Sequence, residues 1–263
     1  MKQILVLLLA LCIFWQLKCT KPAGCVDSKA INYDPSLTVA NSSCIYPELI
    51  LRINLIMGTL PFEINRIYNL GGYNTAFKVF QCYLSQIQFL SKNQIILSLD
   101  DYYPLLKEGN IDFNLGQVNV DHYENINFNI GIDPITNSNI LNYLYDANHD
   151  LSLQSPDTMH WNSTDGYIFL KMVGKVDRNG DGIPNENESF DFQIGTNQLL
   201  RSIDLIINKH VNAESDTIEL EFDIEKLFVN VDLQTEHGTK TIDNLPLASK
   251  IADNLMNAFT LKP

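Results

Sequence analysis

Apolar residues fall at alternate positions in Leu49-Ile50-Leu51-Arg52-Ile53-Asn54-Leu55, with the opposite face polar. That period of two predicts a half-buried strand. Phe77 to Leu90 repeats the habit through Val79, Tyr83, Ile87 and Phe89, and is expected to form one strand or a bent pair. Gln94 to Leu99, Ile111 to Leu115 and Glu124 to Ile132 follow at the spacing of an antiparallel meander or sandwich. Leu199 to His210 and Asp216 to Ile224 read as two more strands, with Asn212-Ala213-Glu214-Ser215 at the turn.

A helical period is rarer. Pro134 to Tyr145 is expected to form a short helix burying Ile135, Ile140, Leu141 and Leu144. Near the C-terminus Asn244 is placed to cap, Pro246 sits in the first turn, and Ala248, Ile251, Ala252, Leu255 and Phe259 share one face. A helix from Pro246 to Phe259 is the expectation. The sum is a mainly β protein: an antiparallel β-sandwich with one or two peripheral helices, including a C-terminal one. No long repeat or low-complexity linker divides residues 48–263.

Composition places this domain outside the cytoplasm. Lys2 followed by the apolar run Ile4 to Trp15 has the form of an export signal over residues 1–18, too short to span a bilayer. Cys19-Thr20-Lys21-Pro22 resembles the acylated start of a bacterial lipoprotein, although Gln16-Leu17-Lys18 stand where small residues are usual. A periplasmic or surface protein is expected, touching membrane only through a lipid on Cys19. Losing residues 1–18 removes Lys2 and Lys18 and no acid, moving the formal charge from -13 to -15. Such a balance repels phosphate backbones, so no nucleic-acid function is expected.

Export also sorts the five cysteines. Cys12 leaves with the signal, Cys19 is the lipidation candidate, and Cys25 and Cys44 remain as an obvious disulfide pair. Cys82 lies in the apolar run Phe80-Gln81-Cys82-Tyr83-Leu84 and reads as a buried small hydrophobe. Gly24-Cys25-Val26-Asp27, Ala30-Ile31-Asn32-Tyr33-Asp34-Pro35 and Asn41-Ser42-Ser43-Cys44 resemble a short unit recurring in bacterial cell-surface proteins. Residues 19–47 are therefore expected to be a disulfide-stapled spacer.

Chemistry is sparse. There is no Gly-rich phosphate loop, Gly-x-Ser-x-Gly, His-Glu-x-x-His or Cys-x-x-Cys, and no catalytic carboxylate pair stands out. A binding protein is expected rather than an enzyme. The strongest local pattern is Asp177-Arg178-Asn179-Gly180-Asp181-Gly182-Ile183-Pro184-Asn185-Glu186-Asn187-Glu188. Oxygens from Asp177, Asn179, Asp181, the Ile183 carbonyl and Glu188, with Gly182 at the sharp turn, have the spacing of a calcium loop. Its flanks are strand-like, so a calcium-stiffened connection between strands is expected, against an Asx-rich turn that binds nothing. Asp146-Ala147-Asn148-His149-Asp150, with Asp157, echoes the spacing without the glycine and reads as a turn cluster.

Tyr83-Leu84-Ser85-Gln86-Ile87-Gln88, Gly131-Ile132-Asp133, Met159-His160-Trp161-Asn162, Gly166-Tyr167-Ile168-Phe169-Leu170-Lys171 and Phe192-Gln193-Ile194-Gly195 together resemble the MbnP-like, methanobactin-associated copper-binding family. The resemblance runs from about Leu49 to the C-terminal helix. It implies an exported β-sandwich and, in some members, copper held by histidines beside a tryptophan oxidised to kynurenine by a di-haem partner enzyme. Carried over, Trp161 is the candidate oxidation site and His160 the candidate copper ligand. The family's Phe-x-His-x-Gly pattern has Gln193 at its histidine, and an amide oxygen is a poor copper donor. Adjacent residues of a strand also point to opposite faces, so His160 and Trp161 are expected to diverge. Three readings stay open: a copper-handling protein, a calcium-stabilised surface module that has lost copper, and a hydrolase with unmarked carboxylates.

Overall fold

The computed structural model of the protein describes residues 21–139, 143, 149–162 and 164–262. The expected export signal over residues 1–18, Cys19, and Ile140, Leu141 and Leu144 of the first expected helix lie outside the described residues. The chain divides into two compact units between Tyr46 and Pro47.

Among the described residues of the first unit, Cys25 and Ala30 are the buried apolar ones. A disulfide joins Cys25 to Cys44 across a Cα separation of 4.7 Å, and β1 (Ala23–Gly24) pairs in parallel with β2 (Val39–Ala40). Closing a loop of this length stabilises by about 3 kcal/mol through the unfolded chain. Side chains do the rest: Asn32 donates to the Ser43 carbonyl and accepts from the Ile45 amide, and the Tyr46 hydroxyl donates to Asp27.

The second unit contains β3 (Glu48–Met57), β4 (Leu60–Pro61), β5 (Ile67–Leu70), β6 (Tyr73–Ser91), β7 (Gln94–Leu99), β8 (Leu105–Lys107), β9 (Asp112–Gln117), β10 (Asp121–Ile130), α1 (Pro134–Ser138), β11 (His160–Asn162), β12 (Gly166–Val176), β13 (Ser189–Gly195), β14 (Arg201–Val211), β15 (Ser215–Asp223), β16 (Gly238–Thr239), α2 (Leu245–Asn254) and β17 (Phe259–Leu261). The larger sheet runs β14-β10-β6-β12-β13-β16, with β5, β7 and β8 on parts of β6 and β11 on β12. The smaller runs β17-β15-β3-β4, with β9 on β3. Across the sandwich Phe80 of β6 meets Phe222 of β15 edge-on at 5.5 Å, and Phe128 of β10 meets Phe259 of β17 at 5.2 Å. No helix among the described residues is long and apolar enough to cross a membrane.

The mainly β sandwich is as expected, but β15 on β3 and β16 on β13 are parallel pairs, so both sheets are mixed. The strands around Asn212 do not form a hairpin: β14 joins β10, and β15 joins β3 in the other sheet. Each buries one apolar row, Ile203, Ile207 and Val211 on β14 and Ile218, Leu220 and Phe222 on β15, in the common core.

Both helices are shorter than their periodicity suggests. Ile135 is 77% exposed, while Thr136 and Asn137 are buried. Asp133 caps this helix by accepting from the Ile135 and Thr136 amides, and Asn137 is drawn inward to hydrogen-bond with β12. Polar satisfaction sets the rotation of α1 instead of apolar burial. The last helix stops at Asn254, passes through a 3-10 turn at Leu255–Asn257, and leaves Phe259 in β17. Phe259 stacks on Phe222 at 4.1 Å, which strand pairing with β15 allows.

A second, smaller core matters more for the site. Leu84, Leu170 and Met172 belong to the main core, whereas Tyr83, Tyr167 and Phe169 on the same strands belong to another with Tyr103, Ile132, Leu151, Met159 and Ile168. Alternation sends these rings to the outer face of the large sheet, where Ile132, Leu151 and Met159 pack against them.

Candidate functional site

The stretch Met159 to Leu170 is a tight hairpin: β11 pairs antiparallel with β12, His160 opposite Tyr167 and Asn162 opposite Gly166. Gly166 is required there. Its φ is +77°, and a Cβ would lie 2.4 Å from Asn137 Oδ1, the atom that accepts the Tyr167 amide at 2.9 Å. Tyr167 is fully buried and donates its hydroxyl to the Leu151 carbonyl. Burial pushes that phenol well above its ordinary range.

His160 and Trp161 do go to different partners. The His160 ring packs edge-on against Tyr167 at 5.5 Å, and its Nε2 is buried with no hydrogen-bond partner. Desolvation lowers its pKa, with a hydrogen bond to the Asn162 backbone opposing. Trp161 lies over β13 instead: a Cβ on Gly195 would come 2.8 Å from its ring. Its Nε1 donates to Gln193 Oε1 at 2.8 Å, and Gln193 Nε2 donates to both carboxylate oxygens of Asp191 at 3.1 Å. Beside Trp161 a cleft of about 240 Å³ is lined by Asn162, Asp165, Lys240, Ile242 and Asp243.

The residues fit copper poorly. Copper takes imidazole or sulfur donors; the His160 imidazole packs on Tyr167, and Gln193 offers an amide oxygen already taken by Trp161. His149 accepts the Leu151 amide on Nδ1 and faces Asp101 at 3.3 Å; His122 and His210 lie on β10 and β14, across the sheet. His237 flanks Asp191, whose amide donates to its carbonyl, but its side chain is exposed. Among the described residues, no three His, Cys, Asp or Glu side chains gather where one metal could touch them all.

The acidic stretch forms the connection between β12 and β13, as its strand-like flanks predict. Asp177 is buried; Oδ1 accepts from the Gly180 and Asp181 amides and Oδ2 from the Gly182 amide. Asn179 Oδ1 accepts from the Asp181 amide, and Asp181 Oδ1 from the Ile183 amide. These turns place the side-chain oxygens of Asp177, Asn179 and Asp181 along one bend, each accepting a backbone amide. Glu188 is not among them, because it accepts from Asn185 within the 3-10 turn Glu186–Glu188. The loop is fastened to the sheet elsewhere: Glu186 pairs with Lys175 at 2.6 Å and with Lys78, and Asn74 donates to the Gly182 carbonyl. Lys175, then Lys78, hold the Glu186 carboxyl below its ordinary range. Of the weaker acidic cluster, Asp146 and Asn148 lie outside the described residues; Asp150 accepts the Tyr103 amide and Asp157 pairs with Lys107.

Asn137 and Asp191 carry no local signal in the sequence, yet each holds a partner of the hairpin or of Trp161. Their contacts run between separate strands and loops, which only the sheet register reveals. Cys82 is fully buried in the main core, and burial pushes its thiol far up.

Comparison with known proteins adds three findings. The family model described as MbnP matches residues 46–244. The solved structure of MbnP from Methylosinus trichosporium is similar at 13% identity over 74% of this chain and 83% of its own, with a TM-score of 0.49. No curated protein matches the chain.

Proposed function

Since its MbnP match spans most of its length, the chain belongs to the MbnP family, and we propose that it is an exported envelope metal-binding protein of that type whose resident ion is calcium. The copper position that the family resemblance implies is, on this reading, rebuilt as a hydrogen-bonded unit of Trp161, Gln193 and Asp191. The observation that carries it is the engagement of Gln193: its oxygen accepts from Trp161 and its nitrogen donates to Asp191. A histidine ligand has been exchanged for an amide committed to holding the indole. Calcium would be held by Asp177, Asn179, Asp181 and the Ile183 carbonyl, with Glu188 closing from its contact with Asn185. The ion supplies rigidity to the connection between β12 and β13, and the protein acts by binding, not by catalysis. Its place is the periplasm or the cell surface, with Cys19 as the lipid anchor.

One observation favours a second reading, in which the chain handles copper through His160 and Trp161 is oxidised by a di-haem partner enzyme. It is the buried, unpartnered Nε2 of His160. The two readings separate on protein purified from the envelope of cells that also express such an oxidase. We expect one calcium per chain, no copper surviving dialysis against a chelator, and an unmodified Trp161 peptide. Retained copper that disappears in His160→Ala, or a Trp161 peptide that has gained one oxygen and lost one carbon, would overturn the first reading in favour of the second.

A further inference from the structure

Two histidines that play no part in the site above stand directly opposite each other. His122 on β10 and His210 on β14 are register partners, both exposed. The neighbouring pair Asp121 and Val211 has the opposite phase, with Val211 buried in the main core. Both imidazoles therefore rise from the solvent face of the larger sheet. Directly opposed Cβ atoms of an antiparallel pair are about 4.5–5.5 Å apart. From such roots two imidazoles can converge on one ion at the roughly 2.0–2.1 Å of a metal–nitrogen bond. Neither imidazole takes part in a hydrogen bond, ion pair or ring contact within the described residues, so nothing has to be broken to turn them.

We infer that His122 and His210 form a surface chelate for a divalent transition-metal ion, with water completing the coordination shell. The ligands are imidazoles alone, which selects Cu²⁺, Ni²⁺ and Zn²⁺ over the hard ions Ca²⁺ and Mg²⁺. The two strands are fixed by their own ladder, so only side-chain rotamers are ordered on binding. Because β14 is the edge strand of its sheet, a bound ion would also clip that edge to β10. Strands β6 and β12 separate this pair from β13 and Gln193, so its occupancy is independent of the Trp161 unit and of the calcium loop.

The test uses the full chain in calcium-containing buffer, titrated separately with Cu²⁺ and Ni²⁺ and followed by calorimetry and by melting temperature. A chelate predicts one class of site, tighter for Cu²⁺ than for Ni²⁺. His122→Ala and His210→Ala should each weaken it by at least about tenfold, and the double variant should be no weaker than either single one. Metal should raise the melting temperature of the parent and of His160→Ala, and leave the two chelate variants unmoved. Both positions are exposed, so the metal-free variants should melt with the parent. If either single variant keeps the parent affinity, or only one of the two matters, the chelate is refuted. A copper site that depends on His160 and not on this pair would instead count against the calcium-only reading, which keeps the two failures distinct.

Discussion

Gln193→Leu tests the central contact most directly. Leucine fills a similar volume but removes the acceptor at 2.8 Å from Trp161 Nε1 and the donor that bridges to Asp191. A neutral hydrogen bond contributes about 1 kcal/mol net, and a polar group left without a partner costs about 1–3 kcal/mol when buried. Trp161 and Asp191 are both half-buried, so water repairs part of the loss and the lower end applies. The expected destabilisation is about 1–2 kcal/mol, or a drop of about 2–8 °C in melting temperature for a domain of this size. Apart from Trp15, Trp161 is the chain's one tryptophan, so in protein prepared without residues 1–18 its fluorescence reports on the site alone. Its emission should change in Gln193→Leu and stay close to the parent in Gln193→Glu, which keeps an acceptor. The glutamate variant loses stability instead by facing Asp191, and salt should restore part of it. A Gln193→Leu protein with parental melting temperature and emission would show that the amide does not hold the indole, and the proposed replacement of a metal ligand by a hydrogen-bonded unit would fall with it.

Removing calcium with EGTA should lower the melting temperature of the parent; at 100 times the dissociation constant the ion adds about 2.7 kcal/mol. Asp181→Ala should abolish that response, and an EGTA-insensitive parent would leave the loop an ordinary turn. Gly195→Ala should cost on the order of 1–3 kcal/mol, because its methyl would sit 2.6 Å from the Tyr167 carbonyl oxygen and 2.8 Å from the Trp161 ring; a melting temperature equal to the parent's would contradict that packing. Desolvation lowers the His160 pKa below its ordinary value of about 6.5, with the hydrogen bond to the Asn162 backbone opposing. The unfolded chain then binds the proton more readily, and this contribution to stability is present above about pH 6.5 and lost as pH falls through and below it. His160→Asn should flatten the stability profile between about pH 7 and 5; an unchanged slope would place the imidazole in water.

Strand positions were legible because alternation is a local signal: β3 and β10 lie where apolar residues alternate with polar ones. Pairing was not, since nothing in Leu199 to Ile224 distinguishes a hairpin from two strands that part into different sheets. The amphipathic face from Ala248 to Phe259 continued past the true helix end because Phe259 is buried by a strand at the same spacing that a helix would use. In the site, the turn at Gly166 and the strand-flanked acidic loop were readable from adjacent residues. The hydrogen bond from Trp161 to Gln193 spans 32 positions, and that of Asn137 to Tyr167 spans 30. Contacts of that kind depend on register, which bulges shift by whole residues, as between Ile168 and Leu170 on β12.

The residues that carry the family resemblance divide by what they touch. Asp133 caps α1 and accepts the Tyr103 hydroxyl, Gly166 leaves room for Asn137, Tyr167 seals the second core, and Gly195 makes room for the Trp161 ring. All of these hold the hairpin against the outer face of the sheet. Gln193 is different: it stands on the half-exposed row of β13 with Asp191, its neighbours Phe192 and Ile194 carrying the burial. A substitution there changes what meets Trp161 without removing apolar surface from either core. The fold is thus secured by one set of residues and the group that meets the indole by another, so the residue at position 193 can change while the fold is kept. If that division holds, Gln193→His should fold with its cores intact, yet gain no copper through His160, whose ring is packed edge-on against Tyr167. Copper bound by Gln193→His and lost again in the double variant with His160→Ala would show that the two positions can meet, and would return the site to the copper-handling reading.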